Sequence, residues 1–239
     1  MELTVLGNYG PFPPKRGACS CYLLTLSDGE NVVLDMGPGT LSRLQEHISL
    51  TEIRAIMLTH LHFDHISDLF ALKYAIALLR KRGVITTRIP LYLPETPKEV
   101  AALVADSDLF NVFYMRPDTK VLLCGAVFTF YGMQHPVETY AIGVEEGSKK
   151  LVYTGDTRYH EGLFGLAEGV DLFLVDAGLL KRDLLGVPAH LSVEQACQVG
   201  QGAKRTVLTH LLPLYSQEEL EAEVRGQAEF SEYGKRYSV

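Results

Sequence analysis

Residues 59–65 read "THLHFDH", directly after the apolar run "IRAIML" at 53–58. Three histidines and one aspartate crowd into positions 60–65, at the edge of what should be core. Burying that many ionisable groups without compensation would be costly, so the cluster points to a cation. His60 and His62 are two apart, and in an extended segment both project to one side. Asp64 and His65 follow at the turn into a helix expected to begin near Ile66. Two divergent ligand pairs result, His60 with His62 and Asp64 with His65. One tetrahedral ion cannot easily use all four from so short a loop, whereas two adjacent ions can. Imidazole with carboxylate suits zinc, and manganese or iron are also accepted by such ligands.

Working outward, the chain offers further ligands singly at element ends. His135 follows "FTFYGMQ", Asp156 follows "LVYTG" and His210 follows "TVLT". A carboxylate such as Asp156 can bridge two ions. "AIMLTHL" (55–61) recurs as "RTVLTHL" (205–211), and "KKLVYTGD" (149–156) delivers its aspartate in the same way. Each is an apolar strand ending in a ligand, where rigid backbone meets an accessible loop. Hydrophobic patterning predicts strands over 3–6, 22–26, 31–35, 55–59, 91–93, 121–123, 126–131, 140–145, 151–154, 172–175 and 206–209. It predicts helices over 41–48, 66–81, 97–105, 192–201 and 217–227, with "TPKEV" and "SVEQA" carrying start signals. Two packed β-rich halves with helices outside is the architecture this suggests.

Composition narrows the field. The 239 residues carry a formal net charge of −7, and a generic nucleic-acid binder would usually be basic. The first residues, "MELTVLGNYGPFPP", lack the charged and then apolar pattern of a signal peptide, and the apolar stretch "LFALKYAIALL" is too short to span a bilayer. Cys19, Cys21, Cys124 and Cys197 form no framework of spaced pairs, so a reducing cytoplasm fits best. Cys19 and Cys21 read as free thiols on one face of a strand.

"THLHFDHISDL" resembles the H-x-H-x-D-H motif of the metallo-β-lactamase superfamily. "QHPVETYAIGVEEGSKKLVYTGDT", "VDLFLVDAGLL", "AHLSVEQA", "KRTVLTHLLP" and the opening "GPFPPKRGACSCYLL" are similar to its ribonuclease Z-like branch. The resemblance implies an α+β fold, a four-layer αββα sandwich of two mixed sheets, as a single metallo-hydrolase domain over 1–239. It implies that His60, His62 and His135 hold one metal, that Asp64, His65 and His210 hold the other, and that Asp156 bridges. Two cations roughly 3.5–4 Å apart lower the pKa of a shared water towards about 7, which makes hydroxide available for attack. Asp64 then orients the nucleophile's proton. The resemblance places His190, in "PAHLSVEQA", beside a scissile phosphate as proton donor to the leaving oxygen or as a phosphate contact. His160 and His47 read as a loop and a helix-end residue. Lys181 and Arg182 read as a solvated loop within reach of a phosphate.

Transfer-RNA-processing members of this branch carry a long arm between the third histidine ligand and the bridging aspartate. Here only "PVETYAIGVEEGSKKLVYTG" separates His135 from Asp156, enough for a strand hairpin. Transfer RNA is therefore an unlikely substrate. The expectation is a metal-dependent phosphodiesterase acting on small or cyclic phosphodiesters or short RNA ends. Hydrolysis of a lactone, thioester or β-lactam on the same site is the alternative, and a non-catalytic ligand-binding member is the third reading. The loop 7–17 and the "RKRG" end of the long helix are expected to shape the substrate mouth or a homodimer face.

Overall fold

The computed structural model describes residues 1–239. Its first sheet contains β1 (Glu2–Gly7), β2 (Cys21–Thr25), β3 (Asn31–Leu34), β4 (Ile53–Met57), β5 (Ile89–Leu93) and β6 (Phe110–Tyr114). The second contains β7 (Lys120–Leu123), β8 (Ala126–Gly132), β9 (Tyr140–Glu146), β10 (Lys149–Tyr153), β11 (Leu172–Asp176), β12 (Thr206–Thr209) and β13 (Glu229–Phe230). The C-terminal β14 (Arg236–Ser238) returns to pair with β1, which makes two sheets of seven strands. Both are mixed: β3 to β6 run parallel, as do β10 to β13, while the remaining pairings are antiparallel.

Period-two alternation builds the layers. On β2, Tyr22 and Leu24 face the other sheet, and on β3 so do Val32 and Leu34. Their neighbours Cys21, Leu23 and Val33 face outward into a second core. That outer core is closed by α1 (Thr40–Leu44), α2 (Phe63–Lys81) and α3 (Lys98–Val104). A third core forms between the second sheet and α4 (Gly162–Ala167), α5 (Val193–Val199) and α6 (Gln217–Glu223). The result is the expected αββα sandwich. Each fully buried Leu, Val or Phe in these layers contributes about 1.5–3 kcal/mol of hydrophobic transfer. No helix is long and apolar enough to cross a membrane.

Several expectations need correction. The long helix starts at Phe63 rather than Ile66, with His62 at its N-cap. Asp64 and His65 therefore project from its first turn. The "RKRG" end lies 19 residues along that helix, about 27 Å from His62, so it shapes no mouth there. β6 is an edge strand whose Phe113 and Tyr114 stay largely exposed, so it lacks the alternation that reveals half-buried strands. α4, "GLFGLA", is short and holds two glycines, which mask it from propensity. Cys19 lies outside β2, bridged to Tyr9, while Cys21 is in it. Both are buried free thiols, and burial pushes Cys19 up to about 12, which disfavours the thiolate.

Candidate metal centre

The site lies at the C-terminal ends of parallel strands in both sheets. β3 leads into Asp35, β4 into His60, β10 into Asp156, and β12 into His210. Such edges suit ligands because the backbone is held on one side and open on the other. Three of these exits turn left-handed: Asp35 (φ 57), Gly155 (φ 59) and His210 (φ 58). A positive φ is uncommon for a non-glycine residue and is sustained only where the surroundings enforce it. At Gly155 a Cβ would also sit 2.8 Å from that of Thr59, so glycine lets this turn nest against the strand that delivers His60.

Seven donors converge in two groups that share Asp156. In the first, Nε2 of His60 and Nε2 of His135 each lie 3.1 Å from Nδ1 of His62. Oδ2 of Asp156 is 3.5 Å from His60 and 3.9 Å from His135. In the second, Nε2 of His210 lies 3.1 Å from Oδ2 of Asp64 and 3.3 Å from Oδ2 of Asp156. Nε2 of His65 lies 3.3 Å from Oδ1 of Asp156 and 3.7 Å from Oδ2 of Asp64. Within each group the donor atoms all fall within 4.8 Å of one another. His62 caps α2 with its backbone only, because its ring is turned to the other imidazoles. Asp64 sits in the first turn of that helix, where the dipole favours a carboxylate.

The donor chemistry fits divalent cations. Nε2 of His65 and Oδ1 of Asp156 are buried and have no hydrogen-bond partner. Orphaned buried donors and acceptors of that kind are expensive unless an ion completes them. The outward nitrogens of three ligating histidines are held as in metal sites generally, while Nδ1 of His210 is buried without a partner. Nδ1 of His65 meets Oδ2 of Asp35 at 2.7 Å, Nδ1 of His135 meets the Ala189 carbonyl at 3.1 Å, and Nδ1 of His60 meets Oγ1 of Thr59 at 3.1 Å.

Electrostatics separates the two groups. Burial, reinforced by the charge on His65, holds His60 well below the usual histidine value, and burial pushes His135 down to about 4. Burial also works against a charged His65, yet the Asp156 and Asp35 carboxylates outweigh it and hold that ring well above the usual value. Burial opposes the charge on Asp156 too, but His210, His65 and His60 keep its carboxyl well below the usual range.

His190 belongs to neither ligand group and adjoins both. Its ring stacks on His210 with centroids 4.7 Å apart, and it lies 5.4 Å from that of His135. Its Nδ1 donates to Oδ2 of Asp176 at 2.9 Å. Burial would lower its pKa, but Asp176, with Asp156 and Asp64 behind it, raises it to about 9. Asp176 also accepts from the backbone N–H groups of Thr157 and Gly178, which fix its carboxylate. Asp35 and Asp176 were absent from the sequence-derived site, although each is an acid at the end of an apolar strand. Lys181 and Arg182 turn away into ion pairs with Glu194 and Glu219, at 2.8 and 2.7 Å. His160 is partly buried beside Gly162, and His47 follows α1 on the far side of the first sheet; neither joins the ligand groups.

Residues 30–211 match the family described as the beta-lactamase superfamily domain. The chain belongs to the metallo-β-lactamase superfamily. Within the superfamily it is 29% identical over 215 residues to the probable metallo-hydrolase YhfI of Bacillus subtilis, covering 88% of this chain and 87% of that one. The crystal structure of YhfI superposes with a TM-score of 0.92 at 26% identity, over 99% of this chain and 98% of that chain. Ribonuclease Z of Streptomyces avermitilis is 25% identical over 266 residues, covering 90% of this chain and 88% of it. The fold is shared with a diphosphatase of the PhnP family, with a TM-score of 0.77 at 24% identity and coverage of 100% and 97%. The chain is thus a superfamily metallo-hydrolase with His/Asp clusters able to bind metal ions.

Proposed function

We propose that the protein is a dinuclear metal-dependent phosphodiesterase acting on small or cyclic phosphodiesters or short RNA ends. The observation that carries this reading is the pairing of two ligand groups through Asp156 with a separate, carboxylate-held His190 beside them. His60, His62 and His135 would hold one cation, Asp64, His65 and His210 the other, and Asp156 both. When bound, two divalent cations, zinc first and manganese or iron as alternatives, supply a water of lowered pKa and positive charge to meet an anionic phosphate.

The chain's own residues supply the rest. Asp64, buried with Oδ2 3.1 Å from Nε2 of His210, would orient the proton of the attacking water. The Asp176 carboxylate holds Nδ1 of His190, which leaves Nε2 free to donate to the departing oxygen. Alkoxides are poor leaving groups, and a histidine kept protonated by carboxylates suits them. The kinship with a ribonuclease Z supports phosphate ester chemistry. The short β9–β10 hairpin between His135 and Asp156, and a net charge of −7, argue against transfer RNA.

The test is a panel run on zinc- and manganese-loaded protein. It contains bis(p-nitrophenyl) phosphate, 2′,3′- and 3′,5′-cyclic nucleotides, a short RNA with a 3′ extension, a lactone and nitrocefin. Metal-dependent turnover of phosphodiesters alone is the expected result. Turnover of the lactone or nitrocefin with none of any phosphodiester overturns the reading.

A further inference from the structure

Two fully buried tyrosines cross between the sheets behind the Asp64, His65 and His210 group. Tyr153 ends β10 in the second sheet and donates its hydroxyl to Oδ2 of Asp35, in the first, at 2.7 Å. The same oxygen receives Nδ1–H of His65 at 2.7 Å and the Thr59 hydroxyl at 2.8 Å. The other oxygen of Asp35 accepts the Thr59 backbone N–H at 2.7 Å. Tyr22 reaches the opposite way. It lies on β2 in the first sheet, and its hydroxyl pairs with that of Thr209 in the second, the residue before His210. The two rings meet edge to face with centroids 4.8 Å apart.

Each half of this ligand group is thereby tied to the sheet that delivers the other half. His65 arrives on α2 after β4, and His210 arrives at the end of β12, so nothing local sets their separation. Apolar packing between sheets is non-directional and tolerates slip, whereas a hydrogen bond fixes position. Phenylalanine would fill the same volume without burying a hydroxyl. Tyr237 supplies the contrast: it is equally buried in the same core, its hydroxyl has no partner, and it supports no ligand.

We propose that Tyr22 and Tyr153 form a cross-brace that sets the spacing of the first-sheet and second-sheet ligands around one cation, so that both are positioning residues for that pocket. The proposal rests on the dinuclear metal reading above. It is tested by zinc titration against a chromophoric chelator, with secondary structure and melting temperature of the metal-free protein recorded for each variant. Wild type is expected to bind two ions. Tyr153→Phe, acting through Asp35, should weaken one of them by up to the roughly 10–100-fold of a lost outer-shell partner, and the other, which Asp35 reaches only through Thr59 and His60, by clearly less. In a His62→Ala background the remaining ion should carry the whole loss, and in an Asp64→Asn background Tyr153→Phe should change little. Tyr22→Phe, acting through Thr209, should shift the same ion by less, and Tyr237→Phe should shift neither. If Tyr153→Phe fails to fold, Tyr22→Phe carries the same test. Equal weakening of both ions, or of neither, overturns the brace. A wild-type protein that takes up no divalent ion overturns the metal reading, and the brace with it.

Discussion

The two ligand groups share Asp156 and differ in almost everything else. The first offers three imidazoles, and its His62 is partly open to solvent. The second offers two imidazoles and a further carboxylate, all buried. Without an ion the imidazoles of the first group are held toward their neutral form, since burial keeps His60, His62 and His135 below the usual histidine value, and Asp156 supplies the negative charge. The second holds a proton on His65, drawn there by Asp156 and Asp35 against the cost of burial. One group is thus prepared for a cation as it stands. The other already contains a positive charge that the cation must replace.

The harshest way to break this comparison is to remove what the two groups have in common. Asp156→Asn keeps the shape and deletes the shared charge. Both ions should be lost at micromolar metal, and phosphodiester turnover should fall by more than the roughly 10–100-fold of an outer-shell change. Elemental analysis after gel filtration reads the first, and steady-state rates read the second. A variant that still retains two ions would show that the groups are independent.

His190 sharpens the comparison because it serves neither group. His190→Ala should leave both ions in place and reduce kcat by about 10²–10⁴-fold, the usual worth of a positioned acid. The deficit should shrink for substrates with an acidic phenol as leaving group, which need no proton. A uniform loss across leaving groups would make His190 a phosphate contact instead.

The two groups were also unequally legible in the sequence. Four ligands fall within residues 60–65, so contiguity alone exposed them. His135, Asp156 and His210 were found because each closes an apolar run. That rule, applied evenly, also finds Asp35 after "NVVL" and Asp176 after "LFLV". The sequence reading includes Asp35 as the last residue of the strand 31–35 and leaves Asp176 unassigned just beyond the strand 172–175. The repeated "THL" marks two ligand-bearing strand ends but hides how they differ. His60 lies three residues beyond β4, whereas His210 follows β12 directly in a left-handed turn. Thr59 supports Asp35, while Thr209 meets Tyr22. Identical letters therefore sit on different backbones. Tyr22 and Tyr153 carried no signal at all, because an inward tyrosine on an alternating strand reads as core. Their hydroxyl partners belong to the opposite sheet, and only the packing of the sandwich brings them together. His190 became visible through family resemblance and not through its spacing.

The smallest effect is the one that tests the electrostatic contrast itself. An ion entering the second group must displace the proton on His65. Because that ring's pKa is raised, the competition persists through neutral pH, and affinity should climb about tenfold for each unit of pH until the proton is gone. An ion entering the first group finds His135, held down to about 4, already unprotonated, as His60 is. Its affinity should depend on pH less than that of the second group, falling only as these rings, and His62 with them, begin to charge. Chelator-competition titrations between pH 5 and 8 should therefore resolve one steeply pH-dependent ion and one that depends on pH less, with proton release on binding greater at the former. Equal slopes for the two ions would mean that the carboxylate pair around His65 does not hold a proton, and the distinction between the groups would reduce to solvent access at His62.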